Sequence, residues 1–261
     1  MNSGILLEKP VVKRKFPDWL TKRYKNSPDN KLIKDMLSES GVNTVCQQAR
    51  CPNMNECFSE RKLTFLILGD ACTRDCGFCS VKSAQAEEVD PIEADKILKT
   101  ISALGIRYVI LTSVTRDDLR DGGLGHYLKI IAKIKSFDND IVMEVLTPDF
   151  KNVSNAAWKI AASKIDVFAH NIETTLNLYS GIRPKANYEK SLKLLSEVKG
   201  YSNRIYTKSG FMLGLGEKDN EVIQLLKDLK SVSVDMVTIG QYLRPDKRCV
   251  PVEEFIRPEK F

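Results

Sequence analysis

Imidazole is scarce in this chain: two histidines, His126 and His170, occur in 261 residues, too few for a metal centre built mainly from histidine. Long apolar runs are missing as well. No window approaches the roughly 20 apolar residues that span a bilayer, so no membrane-crossing segment is expected. The opening ten residues hold three adjacent apolar side chains, Ile5, Leu6 and Leu7, before a charge, and so lack the core of a secretory signal. Dense basic runs are absent too. Forty Lys and Arg stand against 34 Asp and Glu, and the short run Lys13-Arg14-Lys15 reads as a solvated tail rather than a nucleic-acid patch. That balance leaves room for an acidic protein partner, not for nucleic acid or membrane. No internal repeat or low-complexity segment interrupts the chain. A cytosolic protein is expected, of a length suited to one large domain with a short extension.

Cysteine, by contrast, is plentiful, with seven in the chain. Thiols are kept reduced in the cytosol, so this number points to metal or redox chemistry before disulfides.

Residues 1–60 read as an extension: charged and irregular at first, with Pro10, Pro17 and Pro28, then a helix at about 30–39. From residue 61 the pattern changes to a regular alternation. Short β-branched and apolar runs at 64–68, 108–112, 141–146, 167–172, 207–213 and 236–242 predict six strands. Segments with apolar residues at three- and four-residue spacing near 92–104, 124–136, 152–162, 187–199 and 217–231 predict the helices between them. Strand–helix alternation of this kind gives an α/β fold with a parallel sheet and right-handed crossovers. Periodicity leaves open whether the sheet is flat or curled. Polar residues gather towards the C-terminal ends of four strands, namely Thr112 and Ser113, Glu144, Asn171 and Glu173, and Gln241, and barrel enzymes place their chemistry at that rim. Lys208 falls instead near the start of its strand.

Directly after the first strand comes Cys72-Thr-Arg-Asp-Cys76-Gly-Phe-Cys79. Three thiolates at spacings of four and three in one loop suit three irons of a cubic [4Fe–4S] cluster, with a fourth iron left open to chelate a substrate or cofactor. A second trio, Cys46, Cys51 and Cys57, lies upstream. Zinc sites and inert core thiols are the alternatives, although zinc prefers four tetrahedral ligands and two trios divide badly into such sets.

Cys-x3-Cys-x2-Cys with Phe78 before the last cysteine resembles the signature of radical S-adenosylmethionine enzymes. The upstream Cys-x4-Cys-x5-Cys is similar to that of the lipoyl synthase family within them. The likeness runs nearly the whole chain, through Val45–Asn53, Ile67–Lys82, Leu111–Leu119, Asp121-Gly-Gly, His170–Thr174, Arg183-Pro184, Thr207–Glu217 and Thr238–Leu243. It implies a partial (β/α)6 TIM-like barrel at 61–261 and an N-terminal extension carrying a second cluster site. It further implies two [4Fe–4S] clusters and S-adenosylmethionine as cofactors. Cys72, Cys76 and Cys79 would hold the cluster that binds S-adenosylmethionine. Cys46, Cys51 and Cys57 would hold an auxiliary cluster consumed as the sulfur donor.

The implied substrate is an octanoyl chain on a lysine of an acidic lipoyl domain, sulfurated at C6 and C8. Such domains belong to 2-oxoacid dehydrogenases or the glycine cleavage H protein. An electron donor such as ferredoxin or flavodoxin, and iron–sulfur assembly proteins, complete the implied partners.

Thr112, Ser113, Glu144, Asn171, Glu173, Arg183 and Lys208 are the residues expected around S-adenosylmethionine. A planar guanidinium matches a carboxylate, and carboxylates and amides suit an amino group and ribose hydroxyls. Arg183 as a surface ion pair, and Lys208 as an interior ion pair with Glu144, are the structural alternatives. Asn171 and Glu173 face one side if the strand continues through them.

The family also carries a segment beyond Pro-Glu-Lys-Phe261 that reaches Arg-Ser-Ser-Tyr, whose serine ligates the auxiliary cluster. This sequence contains no such motif. Cys249 stands where the family more often has His and reads as a spare thiol. Two other classes remain open at this stage: a radical enzyme with chemistry like that of biotin synthase, and a non-catalytic iron–sulfur or lipoyl-domain binding protein.

Overall fold

The computed structural model describes residues 16–21, 27–151 and 153–261. Pro10 and the run Lys13-Arg14-Lys15 lie outside them. In the N-terminal part, helices α1 (Pro28–Ser40), α2 (Val45–Gln48) and α3 (Met54–Ser59) precede the first strand. Helix α1 has its boundaries written in sequence: the Ser27 hydroxyl accepts from the Asp29 amide, Pro28 opens the helix, and Gly41 closes it in the left-handed region. Its apolar face, Ile33 and Leu37, joins Val42, Cys46 and Phe58 in the same core as the strand that follows.

The strands are β1 (Thr64–Ile67), β2 (Ala71–Cys72), β3 (Lys82–Ser83), β4 (Tyr108–Ser113), β5 (Val142–Leu146), β6 (Val167–Ala169), β7 (Tyr206–Leu213) and β8 (Met236–Gln241). Six form one sheet in the order β1-β4-β5-β6-β7-β8, and β2 pairs with β3 separately. Every pairing is parallel. The crossovers are α4 (Glu93–Leu104), α5 (Leu124–Phe137), α6 (Ala156–Ala161), α7 (Leu176–Ile182) with α8 (Tyr188–Tyr201), and α9 (Asp219–Ser231). This is the partial (β/α)6 barrel of the sequence reading.

Strand alternation divides the sheet into two faces. Val109, Leu111, Met143, Val145 and Phe168 point outwards and are fully buried under the helices. Each such side chain contributes about 2 kcal/mol of transfer free energy. The opposite face turns inwards and carries polar groups, among them Glu144 and Lys208, which meet at 2.7 Å.

All six predicted strands occur, with one instructive difference. The run expected to continue to 172 leaves regular strand geometry after Ala169. Glu173 takes a φ of 71°, and its amide bonds Gly210 O at 2.9 Å while its carbonyl accepts from Met212. The segment therefore stays docked on β7 but is bulged, which re-aims its side chains. The short elements β2, β3, α2, α3 and α7 carry too few residues for periodicity to reveal.

Candidate active site

The loop between β1 and β3 carries Cys72, Cys76 and Cys79, and all three line a cavity of about 170 Å³ shared with Arg74, Arg248 and Cys249. The loop is fixed by hydrogen bonds that the cysteine pattern does not announce. Thr73 is clamped to the segment after β4, its amide and hydroxyl both donating to Thr115 O at 3.0 and 2.9 Å. Gly77 N donates to Ile182 O, and Val250 N donates to Gly77 O, both at 2.8 Å.

Arg74, in the middle of the Cys72–Cys76 spacer, has a side chain only 3% exposed. It donates to Asp117 Oδ2 and Oδ1 at 2.8 and 2.9 Å, and to Asp149 Oδ2 and Oδ1 at 3.0 and 2.6 Å. Burial works against its charge, yet the two carboxylates outweigh that and raise its pKa. One planar fork thus ties the thiol loop to the ends of β4 and β5. Sequence reading missed Arg74, Asp117 and Asp149, because their partners lie 43 and 75 residues away.

The second trio sits on and between α2 and α3. Cys46 is buried, whereas Cys51 and Cys57 are half-buried. The turn between them closes with Cys51 N donating to Cys46 O at 3.1 Å. Burial raises the Cys46 thiol pKa first, and proximity to Cys51 and Cys57 adds to the shift. The same causes act in the other loop: burial, then neighbouring Cys76 and Cys72, push Cys79 up to about 12. Burial likewise raises Cys76, partly offset by the charge of Arg183. Thiols crowded and desolvated in this way hold their protons until a cationic metal replaces them.

Two observations test the fit of iron–sulfur clusters. The donors are thiols grouped three and three, the ligand chemistry such clusters require. Among the described residues, no three Cys, His, Asp or Glu side chains converge as ligands of a single ion. His126 is paired at 2.6 Å to Glu93, whose carboxylate also accepts from Leu68 N at 3.1 Å. His170 is buried and bonds Thr147 O and Ser191 Oγ at 2.9 Å each. Its pKa is lowered to about 4 by burial and by the charge of Arg183, so at neutral pH it is a neutral connector.

The residues expected around S-adenosylmethionine fall into three groups. Asn171, Glu173 and Arg183 come together beside Cys76, each of the charged pair influencing its thiol. Asn171 bonds the Glu173 carboxylate, whose pKa is raised by burial against the lowering effect of Arg183. Gly210 makes space for this amide: a Cβ there would meet Asn171 Oδ1 at 3.0 Å and Thr238 Oγ1 at 2.7 Å. Arg183 is 9% exposed and has no ion pair among the described residues, so it is not a surface salt bridge. Its Nη1 donates to Asn171 O at 2.9 Å and to the Tyr179 hydroxyl at 2.8 Å, while its Nε is buried without a partner.

The second group, Glu144 and Lys208, forms the interior ion pair of the alternative reading, with the Tyr108 hydroxyl donating to Glu144 at 2.6 Å. Thr112 and Ser113 form the third. Both stand beside the Tyr127 hydroxyl of α5, at the C-terminal end of β4.

The two thiol loops touch. Ser80 Oγ donates to Gln48 O at 2.8 Å, and the buried Cys249 thiol donates to Cys79 O at 3.4 Å. Cys249 thus packs in the first thiol cavity.

Comparison with known proteins agrees with this geometry. Residues 66–229 match the family model of the radical SAM superfamily. A lipoyl synthase from Caldicellulosiruptor saccharolyticus is 48% identical over 251 residues, covering 96% of this chain and 88% of the relative. One from Alkaliphilus metalliredigens is 44% identical over 250 residues, covering 96% and 86%. Among solved structures, methylornithine synthase superposes with a TM-score of 0.57 at 17% identity, over 87% of this chain and 67% of that one. The [FeFe]-hydrogenase maturase of Carboxydothermus hydrogenoformans gives 0.56 at 16% identity, over 68% and 43%. These two likenesses concern the fold. Taken with the two thiol loops, the family match and the relatives show that the chain belongs to the lipoyl synthase family of the radical SAM superfamily.

Proposed function

We propose that this chain inserts two sulfur atoms, at C6 and C8, into an octanoyl group carried on a lysine of a lipoyl domain. The observation that supports this reading most is the juxtaposition of two three-thiol loops, joined through the Ser80–Gln48 hydrogen bond, at one end of a parallel barrel. A biotin-synthase-like enzyme would leave the upstream trio without a task.

In this reading Cys72, Cys76 and Cys79 hold a [4Fe–4S] cluster for S-adenosylmethionine, and Cys46, Cys51 and Cys57 hold the auxiliary one. When bound, these groups supply a carbon-centred radical and the inserted sulfur respectively. The protein's own task is placement. Arg183, with an unpaired buried Nε, presents a donor to a carboxylate. We assign Asn171 and Glu173 to the amino group, although the bulge at Glu173 ends the strand that would have set the two on one side. Lys208 and Glu144 neutralise each other inside the barrel. Arg74 keeps the thiol loop against the ends of β4 and β5.

Residues 1–60 act as an extension serving the auxiliary site, and 61–261 as the barrel. We assign the substrate domains to 2-oxoacid dehydrogenases or the glycine cleavage H protein, with reduction by ferredoxin or flavodoxin, cluster supply by assembly proteins, and a cytosolic location. Among the described residues no helix is long and apolar enough to cross a membrane.

Two variants test the division of labour. Cys76→Ala is expected to abolish 5′-deoxyadenosine formation under reducing conditions. Cys51→Ala should retain that cleavage while forming no lipoyl product. Undiminished cleavage by the first variant, or sulfur insertion by the second, overturns the assignment.

A further inference from the structure

Four cations from two distant parts of the chain gather near Asp246, and two of them reach its carboxylate. Arg50 comes from the Cys46–Cys51 turn; Arg244, Lys247 and Arg248 come from the segment after β8. Arg50 Nη1 reaches Asp246 Oδ2 at 3.5 Å, and Arg248 Nε reaches Asp246 Oδ1 at 3.1 Å. Arg50, Arg244, Asp246 and Lys247 line an open depression of about 440 Å³. Arg248 also lines the neighbouring cavity of Cys72, Cys76 and Cys79, so the depression borders its mouth.

We propose that this depression is the docking face for the acidic protein domain that carries the acyl group. The proposal rests on the function proposed above and adds the surface that recognises the carrier. Three features support it. The lining has three cations to one carboxylate, with Arg248 beside it, an uncompensated positive surface. Its contacts with Asp246 are solvent-exposed, with the Arg50 and Arg248 side chains 67% and 70% accessible, and such contacts hold their partners weakly, so the cations stay available for an incoming carboxylate. The backbone that bears them is fixed: Cys249 N donates to Asp246 O at 3.0 Å, Val250 N to Gly77 O at 2.8 Å, and the Tyr242 hydroxyl to Val250 O at 2.8 Å. A domain seated there keeps its body outside while its acylated lysine enters between the two thiol loops. The depression has no aromatic lining residue on which bases could stack, which favours a protein carrier over nucleic acid.

The test uses the reconstituted protein and a fluorescently labelled, octanoylated lipoyl domain of net negative charge, with binding followed by anisotropy at low and high salt. Arg50→Glu/Lys247→Glu is expected to weaken binding at low salt by about tenfold or more and to flatten the salt dependence. The neutral pair Arg50→Gln/Lys247→Gln should show a smaller loss of the same sign, and it decides the matter if the charge-reversed protein loses iron. Affinities within about twofold of the parent, or tighter binding of duplex DNA or anionic vesicles than of the domain, overturn the proposal. Sulfur insertion by the parent into a short octanoyl-lysine peptide is measured alongside. Its failure counts against the proposed function, whereas its success with unaltered domain binding by the variants counts against the docking face alone.

Discussion

Replacing Arg74 by Gln strips Asp149, whose side chain is 2% exposed, of its charge partner. Removing one member of a buried ion pair costs about 3–5 kcal/mol, because the remaining charge stays desolvated. Asp117, 30% exposed, recovers water and adds little to that cost. At about 2–4 °C per kcal/mol for a chain of this size, the thermal midpoint of the metal-free protein should fall by about 6–20 °C.

The pH dependence has a definite sign. In the parent, burial pushes the Asp149 carboxyl up, but Arg74 outweighs burial and holds it below the usual carboxylate range. Its contribution to stability is therefore complete above the unfolded pKa, about 3.9, and is lost as pH falls through the lower folded value. In Arg74→Gln burial is opposed only by the smaller influences of His170 and Arg183, so the folded pKa is expected to lie above the unfolded one. The variant's penalty is then absent at low pH and grows as pH rises through that raised value. The gap between parent and variant should widen from acid to neutral pH. Adding Asp149→Asn should recover much of the loss, since no lone charge then remains. Thermal melts of the parent, both single variants and the double variant, followed across pH by circular dichroism, give the answer. A single variant that melts within about 2 °C of the parent at neutral pH, or a gap that narrows as pH rises, would refute the clamp.

Lys208→Met should cost about 1–3 kcal/mol, less than a fully buried pair, because Lys208 is 26% exposed while Glu144 is 6% exposed; adding Glu144→Gln should restore most of it in the same melts. Tyr179→Phe removes the hydroxyl that bonds both Arg183 and Ser191, at 2.8 and 3.0 Å. With Arg183 freed, the dissociation constant for S-adenosylmethionine should rise by up to about tenfold, the scale of one hydrogen bond to a charged group, and equilibrium dialysis of the reconstituted protein measures it. An unchanged constant would mean that Tyr179 does not position Arg183.

The barrel was legible because its signals are long. Strands such as Tyr108–Ser113 and helices such as Leu124–Phe137 repeat their periodicity over enough residues to be recognised. The thiol loops were legible for a different reason, since three cysteines at fixed spacing carry their chemistry in the local sequence. What stayed hidden depends on chain reversal. Arg74 is one of many arginines until the fold brings Asp117 and Asp149 to it, and Asp246 is one of many aspartates until Arg50 arrives from the opposite end of the chain. The Lys208–Glu144 pair was readable as an alternative, because Glu144 and Lys208 lie on strands predicted to share one sheet. The early end of β6 at Ala169 was not, since the bulge at Glu173 follows from its bonds to Gly210 and Met212 rather than from its own residue type.

Mass spectrometry of an octanoylated lipoyl domain, incubated with the anaerobically reconstituted protein, S-adenosylmethionine and reductant, tests the central claim most directly. The predicted result is a domain heavier by two sulfurs as the dithiol, and by two sulfurs less two hydrogens once air-oxidised to the cyclic disulfide, with the new sulfur drawn from protein whose auxiliary trio was loaded with labelled sulfide. A domain recovered at its octanoyl mass, despite abundant 5′-deoxyadenosine and two clusters per chain, would contradict it.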